Sequence, residues 1–256
     1  MPEIILNNQN FDVDGIVFDK DGTLIDFHAT WGPILHQAVN HLLEPFTDKT
    51  TISNAIYRTL GVDKDTMRAS DGPYSISTFD KINTVVATVL YQHGMKWTQA
   101  EQRVEEVFKV TAQTPPTRDQ LTPTTDLPAL FKMLECSGIK VGLATADNRH
   151  GTIDTLEKLK CQPESVFIAC GDDSGLPSKP DPALLDVISK YWGTTTDKIA
   201  MVGDTIGDVH MARQAGAVSI GVLTGAGTFE MLDPYTDTIV DSIDDIQVPS
   251  GRLLLN

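Results

Sequence analysis

Four short segments place carboxylates, a hydroxyl and a lysine where a reaction could use them. They are Asp19-Lys20-Asp21-Gly22-Thr23, Thr145, Lys179-Pro180, and Gly203-Asp204 followed by Asp208. Asp19 and Asp21 stand two apart, so they can act on different atoms of one substrate. One serves as a nucleophile, the other as an acid and then a base. A threonine hydroxyl donates a hydrogen bond to a phosphoryl oxygen, and a lysine offsets charge on the nucleophile and the equatorial oxygens. Phosphate-monoester hydrolysis suits this division of labour. It is very slow uncatalysed, and a covalent aspartyl-phosphate splits it into two easier steps. The clustered carboxylates would repel one another without a cation, and a hard dication with oxygen ligands, Mg2+, fits them.

Bringing these segments together requires strands. Val13 to Phe18 is a short buried strand ending at Asp19, and Val141 to Ala144 is one ending at Thr145. Val166 to Ala169 is a third, followed by Cys170-Gly171-Asp172-Asp173 and then by Lys179. Ile199 to Val202 runs into Gly203-Asp204, and Val218 to Leu223 and Thr238 to Val240 are further strands. Helices are predicted over residues 148–160, 182–191 and 206–215 between them. Strand–helix alternation implies an α/β fold, a Rossmann-like mostly parallel sheet with helices on both faces. In such sheets ligands bind outside the carboxyl ends of the strands, which is where all four segments fall. The same rule removes a decoy: Asp12-Val13-Asp14-Gly15 precedes its strand and belongs at the opposite edge.

The first strand is separated from the second by a long helical block. Ile34, Leu35, Ala38, Val39, Leu42 and Leu43 share one helical face; so do Ile82, Val85, Val86, Val89 and Leu90, and a third helix is predicted from Thr98 to Thr111. Asp71-Gly72-Pro73 signals a turn, and Pro115-Pro116 with Pro123 marks the return linker. The expected division is a core of residues 1–23 and 124–256 with an insert of residues 24–123. Charge follows it. Residues 24–125 carry 9 Lys+Arg against 11 Asp+Glu, a net of −2, which leaves −13 of the total −15 on the rest. So acidic a chain is a poor surface for nucleic acid or anionic lipid. No apolar run approaches the roughly 18 residues of a membrane span, and the N-terminus carries no signal-peptide pattern. Three cysteines without paired spacing fit a reducing compartment, so a cytoplasmic protein is expected.

The ordered set Asp19-x-Asp21-Gly22-Thr23, Thr145, Lys179-Pro180 and Gly203-Asp204-x-x-x-Asp208 resembles the haloacid dehalogenase superfamily, in its phosphatase branch. The insert is similar to the C1 cap of phosphoglycolate phosphatase-like members. The resemblance implies a phosphoric monoester hydrolase acting on a small phosphorylated metabolite. It implies Asp19 as nucleophile, Asp21 as acid and base, and Thr145 and Lys179 as substrate-binding and catalytic groups. The implied Mg2+ ligands are Asp19, the main-chain carbonyl of Asp21, and Asp204, with Asp208 holding the metal's waters or Lys179. Asp172 or Asp173 is the alternative for the last metal carboxylate, and Asp204 or Asp208 could instead serve the helix starting near Thr205, as cap or in its first turn. In the insert, Arg68 sits in the loop of residues 63–70, where capped relatives often place a specificity loop. Two competing readings are a phosphomutase of the β-phosphoglucomutase type, using the same two aspartates, and a phospho-accepting receiver domain. A receiver has no helical insert and carries its metal-binding acidic pair on a different strand from its phosphorylated aspartate.

Overall fold

A computed structural model of the chain describes residues 2–70, 72–77, 79–113 and 116–249. Asp71 and Pro115, picked out above as punctuation, lie outside the described residues. The chain divides into two compact units, Met1–Phe27 with Thr117–Asn256, and His28–Pro116. No helix among the described residues is long and apolar enough to cross a membrane.

The first unit opens with an antiparallel hairpin, β1 (Glu3–Leu6) and β2 (Gln9–Asp12). Its turn is Asn7-Asn8, both with positive φ, 49° and 62°. Asparagine tolerates that conformation, which two-residue hairpin turns require. Next comes β3 (Gly15–Phe18), buried at every residue, as expected of an inner strand of a parallel sheet. With β4 (Lys140–Ala144), β5 (Phe167–Ala169), β6 (Ile199–Gly203), β7 (Val218–Val222) and β8 (Thr238–Val240) it forms a parallel sheet in the order β5-β4-β3-β6-β7-β8 among the described residues.

One side of the sheet buries Ile16, Phe18, Leu143, Val202 and Ile220; the other buries Val17, Ala144, Leu185, Ile188 and Met201. The alternation along β3 (Ile16 and Phe18 one way, Val17 the other) is the strand period of two. Trp192 packs close against the backbone on the second side. A Cβ on Gly15 would overlap its ring, and one on Gly142 would come to 3.0 Å. Glycines within these strands thus mark a close approach. The outgoing and returning stretches of this unit, which ends at Phe27 and resumes at Thr117, run beside each other. Asp26 N–H donates to the Thr122 carbonyl at 2.7 Å, and Thr124 N–H to the Leu24 carbonyl at 3.0 Å.

The second unit is helical: α1 (Phe27–Leu42, of which Phe27 belongs to the first unit), α2 (Lys49–Leu60), α3 (Pro73–Ile76), α4 (Phe79–Gln92) and α5 (Trp97–Gln113). Leu35, Val39, Leu42, Ile56, Leu60, Val86, Leu90, Val104 and Phe108 are buried within it. The segment between α2 and α3 is ordered by its own polar groups. The Asp63 carboxylate accepts from the Asp65 N–H, the Thr66 N–H and the Thr66 hydroxyl at 3.1, 2.8 and 2.8 Å. His28 Nδ1, on α1, accepts the Ala69 N–H at 3.1 Å. Arg68 lies on this segment, exposed.

The Trp192 contact yields a first prediction. Gly15→Val is expected to lose about 1–3 kcal/mol, the usual cost of overpacking a filled core. Trp192→Ala in the same chain should recover part of it by making room. Equal denaturation midpoints for Gly15→Val and the wild type would show that the indole yields without cost.

Candidate active site

The carboxyl ends of the three central strands are nearly level. Phe18 pairs with Leu143 on one side and with Val202 on the other. Asp19, Thr145 and Asp204 therefore emerge side by side, one from each strand. Asp19 N–H still donates to the Val202 carbonyl at 2.8 Å, and Thr145 N–H to the Ala169 carbonyl at 2.9 Å, so both residues are anchored by the sheet ladder. The strand order reverses between β3 and β6, which puts Asp19 and Asp204 on either side of the switch point.

Asp19, Asp204 and Asp208 are buried, at 6%, 1% and 0% exposure, and one oxygen from each lies within 4.8 Å of the others. Lys179, from the segment between β5 and α8 (Ala183–Trp192), reaches into this group. Its ammonium bonds to Asp19 Oδ1 and lies 2.6 Å from Asp208 Oδ1. The second oxygen of Asp208 accepts from the Thr205 N–H at 3.2 Å and hydroxyl at 2.6 Å. That closes the capping box of α9 (Ile206–Ala215). The residue capping this helix is therefore Thr205 and not Asp204, while Asp208 serves both the helix and Lys179.

Asp204 has a different job. Its Oδ2 accepts the Ala226 N–H at 2.8 Å, while its Oδ1 is buried with no hydrogen-bond partner among the described residues. Backbone crowds it. A Cβ on Gly22, whose φ is +96°, or on Gly225 would overlap its carboxylate. The Thr224 hydroxyl donates to the Gly22 carbonyl at 2.6 Å, joining the segment after β7 to the turn after β3. An orphaned buried carboxylate oxygen is costly. A second and third carboxylate close by make the position a fit for a divalent cation with oxygen ligands.

The electrostatics agree. Burial pushes the Asp19 carboxyl up from 3.8 to about 7; Lys179 opposes the rise, and Asp208 and then Asp21 add to it. Asp204 is raised well above the usual carboxylate range by burial and then by repulsion from Asp19 and Asp208. Burial works against the charge on Lys179, but Asp19 and Asp208 outweigh it and hold the ammonium above its ordinary value. The Thr145 hydroxyl is buried and accepts the Asp147 N–H at 3.1 Å, which leaves its own proton to donate. The Asp21 carboxylate lies outside the three-aspartate group. Its Oδ2 is 2.5 Å from the ammonium of Lys20, a side chain only 1% exposed, and Lys20 is also 3.2 Å from Asp147 Oδ2.

Asp172 and Asp173 are not in the cluster. Asp173 receives both the Nε and an Nη of Arg149 at 2.6 Å, and Asp172 Oδ1 accepts the Arg149 N–H at 2.9 Å. They tie the end of β5 to the start of α7 (Arg149–Lys158). The alternative that one of them completes the metal site therefore does not hold, and the pairing had no local signal because the arginine is 24 residues from Asp173 in sequence. Asp12 and Asp14 are at the other edge of the sheet, where Asp12 pairs with Lys198 at 2.6 Å and Asp14 accepts from Thr194. Sequence reasoning assigned no role to Lys20, Asp147 or the segment 224–227. The last had a signal, Thr-Gly-Ala-Gly directly after a β-branched run, at a strand end like the others.

A family model described as haloacid dehalogenase-like hydrolase matches residues 13–216. The chain belongs to that family. Among curated haloacid dehalogenase-like relatives, the phosphoglycolate phosphatase of Escherichia coli (strain K12) is 23% identical over 266 residues, covering 93% of each chain. That of Agrobacterium fabrum (strain C58) is 32% identical over 118 residues, 44% of this chain and 50% of the relative. Among solved structures, a hydrolase from Pseudomonas syringae superposes with a TM-score of 0.57 at 20% identity, covering 90% of this chain and 94% of that one. The β-phosphoglucomutase of Clostridium difficile superposes with 0.56 at 16% identity, over 90% and 91%. These structures share the fold.

The buried carboxylates make cation binding compete with protons. Between 3.8 and about 7 the folded Asp19 retains a proton that the unfolded chain has released. The cation-free protein should therefore lose stability as pH rises through that window. Added divalent cation should raise Tm most at the top of the window, where the carboxylates ionise readily. A cation at a hundred times its Kd stabilises by about 2.7 kcal/mol. Asp19→Asn should flatten the pH dependence and Asp204→Asn should weaken the cation response. A wild-type Tm indifferent to divalent cations across this range would remove the metal assignment.

Proposed function

We propose that the chain is a Mg2+-dependent phosphatase that hydrolyses a small phosphorylated metabolite through an aspartyl-phosphate on Asp19. The family and its phosphoglycolate phosphatase relatives make it a phosphoric monoester hydrolase. The observation that carries the finer reading is Asp19 itself: a buried carboxylate at the central strand end, bonded to Lys179 and beside Asp204 and Asp208.

In this reading an oxygen of Asp19 attacks phosphorus and the bond to the leaving oxygen breaks. Asp21 protonates that oxygen, and the alcohol departs. A water then attacks the aspartyl-phosphate, Asp21 takes its proton, and phosphate leaves with Asp19 restored. The Thr145 hydroxyl donates to a phosphoryl oxygen, and Lys179 orients Asp19 and offsets charge on the equatorial oxygens. Mg2+ would be held by Asp19, Asp204 and the Asp21 carbonyl, with Asp208 acting from outside through Lys179. When bound it offsets the negative charge of the carboxylates and the phosphoryl group.

The inserted unit is proposed to select the substrate. The acidic core repels anions, screened over about 10 Å at ordinary salt. An anionic metabolite therefore needs local cations, and Arg68 offers an exposed guanidinium on a segment held by Asp63 and His28. The relatives' substrate, and the need for a second polar group to meet Arg68, favour a phosphoglycolate-like or sugar phosphate.

Purified protein should release inorganic phosphate from p-nitrophenyl phosphate with Mg2+ and stop with EDTA. Asp19→Asn should abolish turnover, since an amide is a poor nucleophile. Asp21→Asn should cost about 10²–10⁴-fold on alkyl phosphates, the usual worth of a positioned acid–base group. It should cost less on p-nitrophenyl phosphate, whose leaving group needs little protonation. Return of the phosphoryl group to a sugar, with no free phosphate, would replace the phosphatase reading by the mutase one.

Arg68→Ala is expected to raise KM for the preferred metabolite at nearly unchanged kcat, because a remote contact is made alike in ground and transition states. Hydrolysis of p-nitrophenyl phosphate should not change. Equal losses on both substrates would assign Arg68 to folding of the inserted unit.

A further inference from the structure

Lys20 is a buried ammonium for which the reaction above has no use. It is 1% exposed and sits between two carboxylates, Asp21 at 2.5 Å and Asp147 at 3.2 Å. Stability alone does not explain it. Replacing a buried ion pair by apolar groups of like volume is often neutral or stabilising. A side chain between Asp19 and Asp21, pointing into a core, would ordinarily be apolar.

Both of its anchors are fixed. The Lys20 carbonyl accepts from the Leu24 and Ile25 N–H groups at 2.9 and 3.1 Å, so its backbone is locked in the turn after β3. Asp147 is held from three sides. Its Oδ1 accepts the Asn148 N–H and side-chain amide at 2.7 and 3.0 Å, its carbonyl accepts the Gly171 N–H at 2.9 Å, and its own N–H donates to Thr145. Asp21 lies at the rim, its short side chain 20% exposed. Asp147, Lys20 and Asp21 thus form a continuous chain of charge contacts from the end of β4 to the turn after β3.

We infer that Lys20 and Asp147 are positioning residues that hold the Asp21 carboxylate in one orientation for proton transfer. The inference rests on the reading of Asp21 as acid and base. It adds that the orientation is set by an ammonium buried beside it, and that the same aspartate which fixes Lys20 also contacts Thr145. The two strand ends that carry the nucleophile and the phosphate contact are thereby linked by one charged strut.

The test compares Lys20→Met, Asp147→Asn, the double variant and Asp21→Asn on p-nitrophenyl phosphate and on an alkyl phosphate that the wild type hydrolyses. A misaimed proton donor should lower kcat for the alkyl phosphate by about 10²-fold, the effect of a small misplacement in an active site. KM should barely move, and the aryl phosphate should be largely spared, as in Asp21→Asn. Asp147→Asn should act more weakly, and the double variant should be no worse than Lys20→Met, because the two act in series. Asp147→Asn keeps shape and removes only charge, so it decides the matter if Lys20→Met does not fold. Equal losses on both substrates, or none, while Asp21→Asn still discriminates between them, would overturn the strut and leave the phosphatase reading intact. If Asp21→Asn does not discriminate, the acid–base reading itself fails, and the strut with it.

Discussion

Buried negative charge is the constraint around which this site is built. Asp19, Asp204 and Asp208 converge at the carboxyl edge of the sheet, largely shielded from water. Desolvation and mutual repulsion raise Asp19 and Asp204 out of the usual carboxylate range. Lys179 relieves part of that repulsion by bridging Asp19 and Asp208, but it leaves Asp204 Oδ1 without a hydrogen-bond partner among the described residues. Such a site is poised for a cation. The second ammonium, Lys20, does not serve this cluster; it joins Asp21 to Asp147. The carboxylates thus fall into two groups, each organised by one buried lysine. In the proposed reaction one group faces the phosphoryl transfer and the other the proton transfer.

Keeping five carboxylates in a small volume depends on backbone more than on side chains. Flush strand ends on β4, β3 and β6 bring Thr145, Asp19 and Asp204 out together, and the ladder bonds of Asp19 and Thr145 leave little freedom at their Cα positions. Glycines finish the enclosure. Gly22 and Gly225 press main chain against the Asp204 carboxylate, where a methyl group would collide. Asp208 shows the same economy. As the partner of Thr205 in a capping box it is fixed by the helix it starts, so its free oxygen arrives at Lys179 with its direction already set.

How much of this could be read from the chain depended on the range over which each signal acts. The inner strands were legible because they are short apolar runs ending in carboxylates or hydroxyls, and the rim followed from their carboxyl ends. Asp12 and Asp14 could be set aside by the same rule. The N-terminal hairpin is hard to read because its strands are short and partly exposed. Lys20 shows no partner in the sequence, since Asp147 is far along the chain. Arg149 and Asp173 failed for the same reason. Pairings between charged side chains on different strands carry no local pattern, and a single sequence offers none.

Side-chain identity therefore says less than position. Asp12 and Asp14 are two aspartates two residues apart leading from β2 into β3, and Asp19 and Asp21 are two such aspartates just after it. Lysines meet three of the four: Lys198 holds Asp12, Lys179 holds Asp19 and Lys20 holds Asp21, while Asp14 accepts from Thr194. The difference is that β3 points its carboxyl end at one pair and its amino end at the other. At the amino end Lys198 is a third exposed, and hydration shares in stabilising the charges. At the carboxyl end both lysines are buried, and hydration contributes far less to stabilising the charges. In a medium of lower effective dielectric the same pairs interact several times more strongly. Burial at one end of one strand is what turns a common acidic motif into a carboxylate cluster that fits a cation.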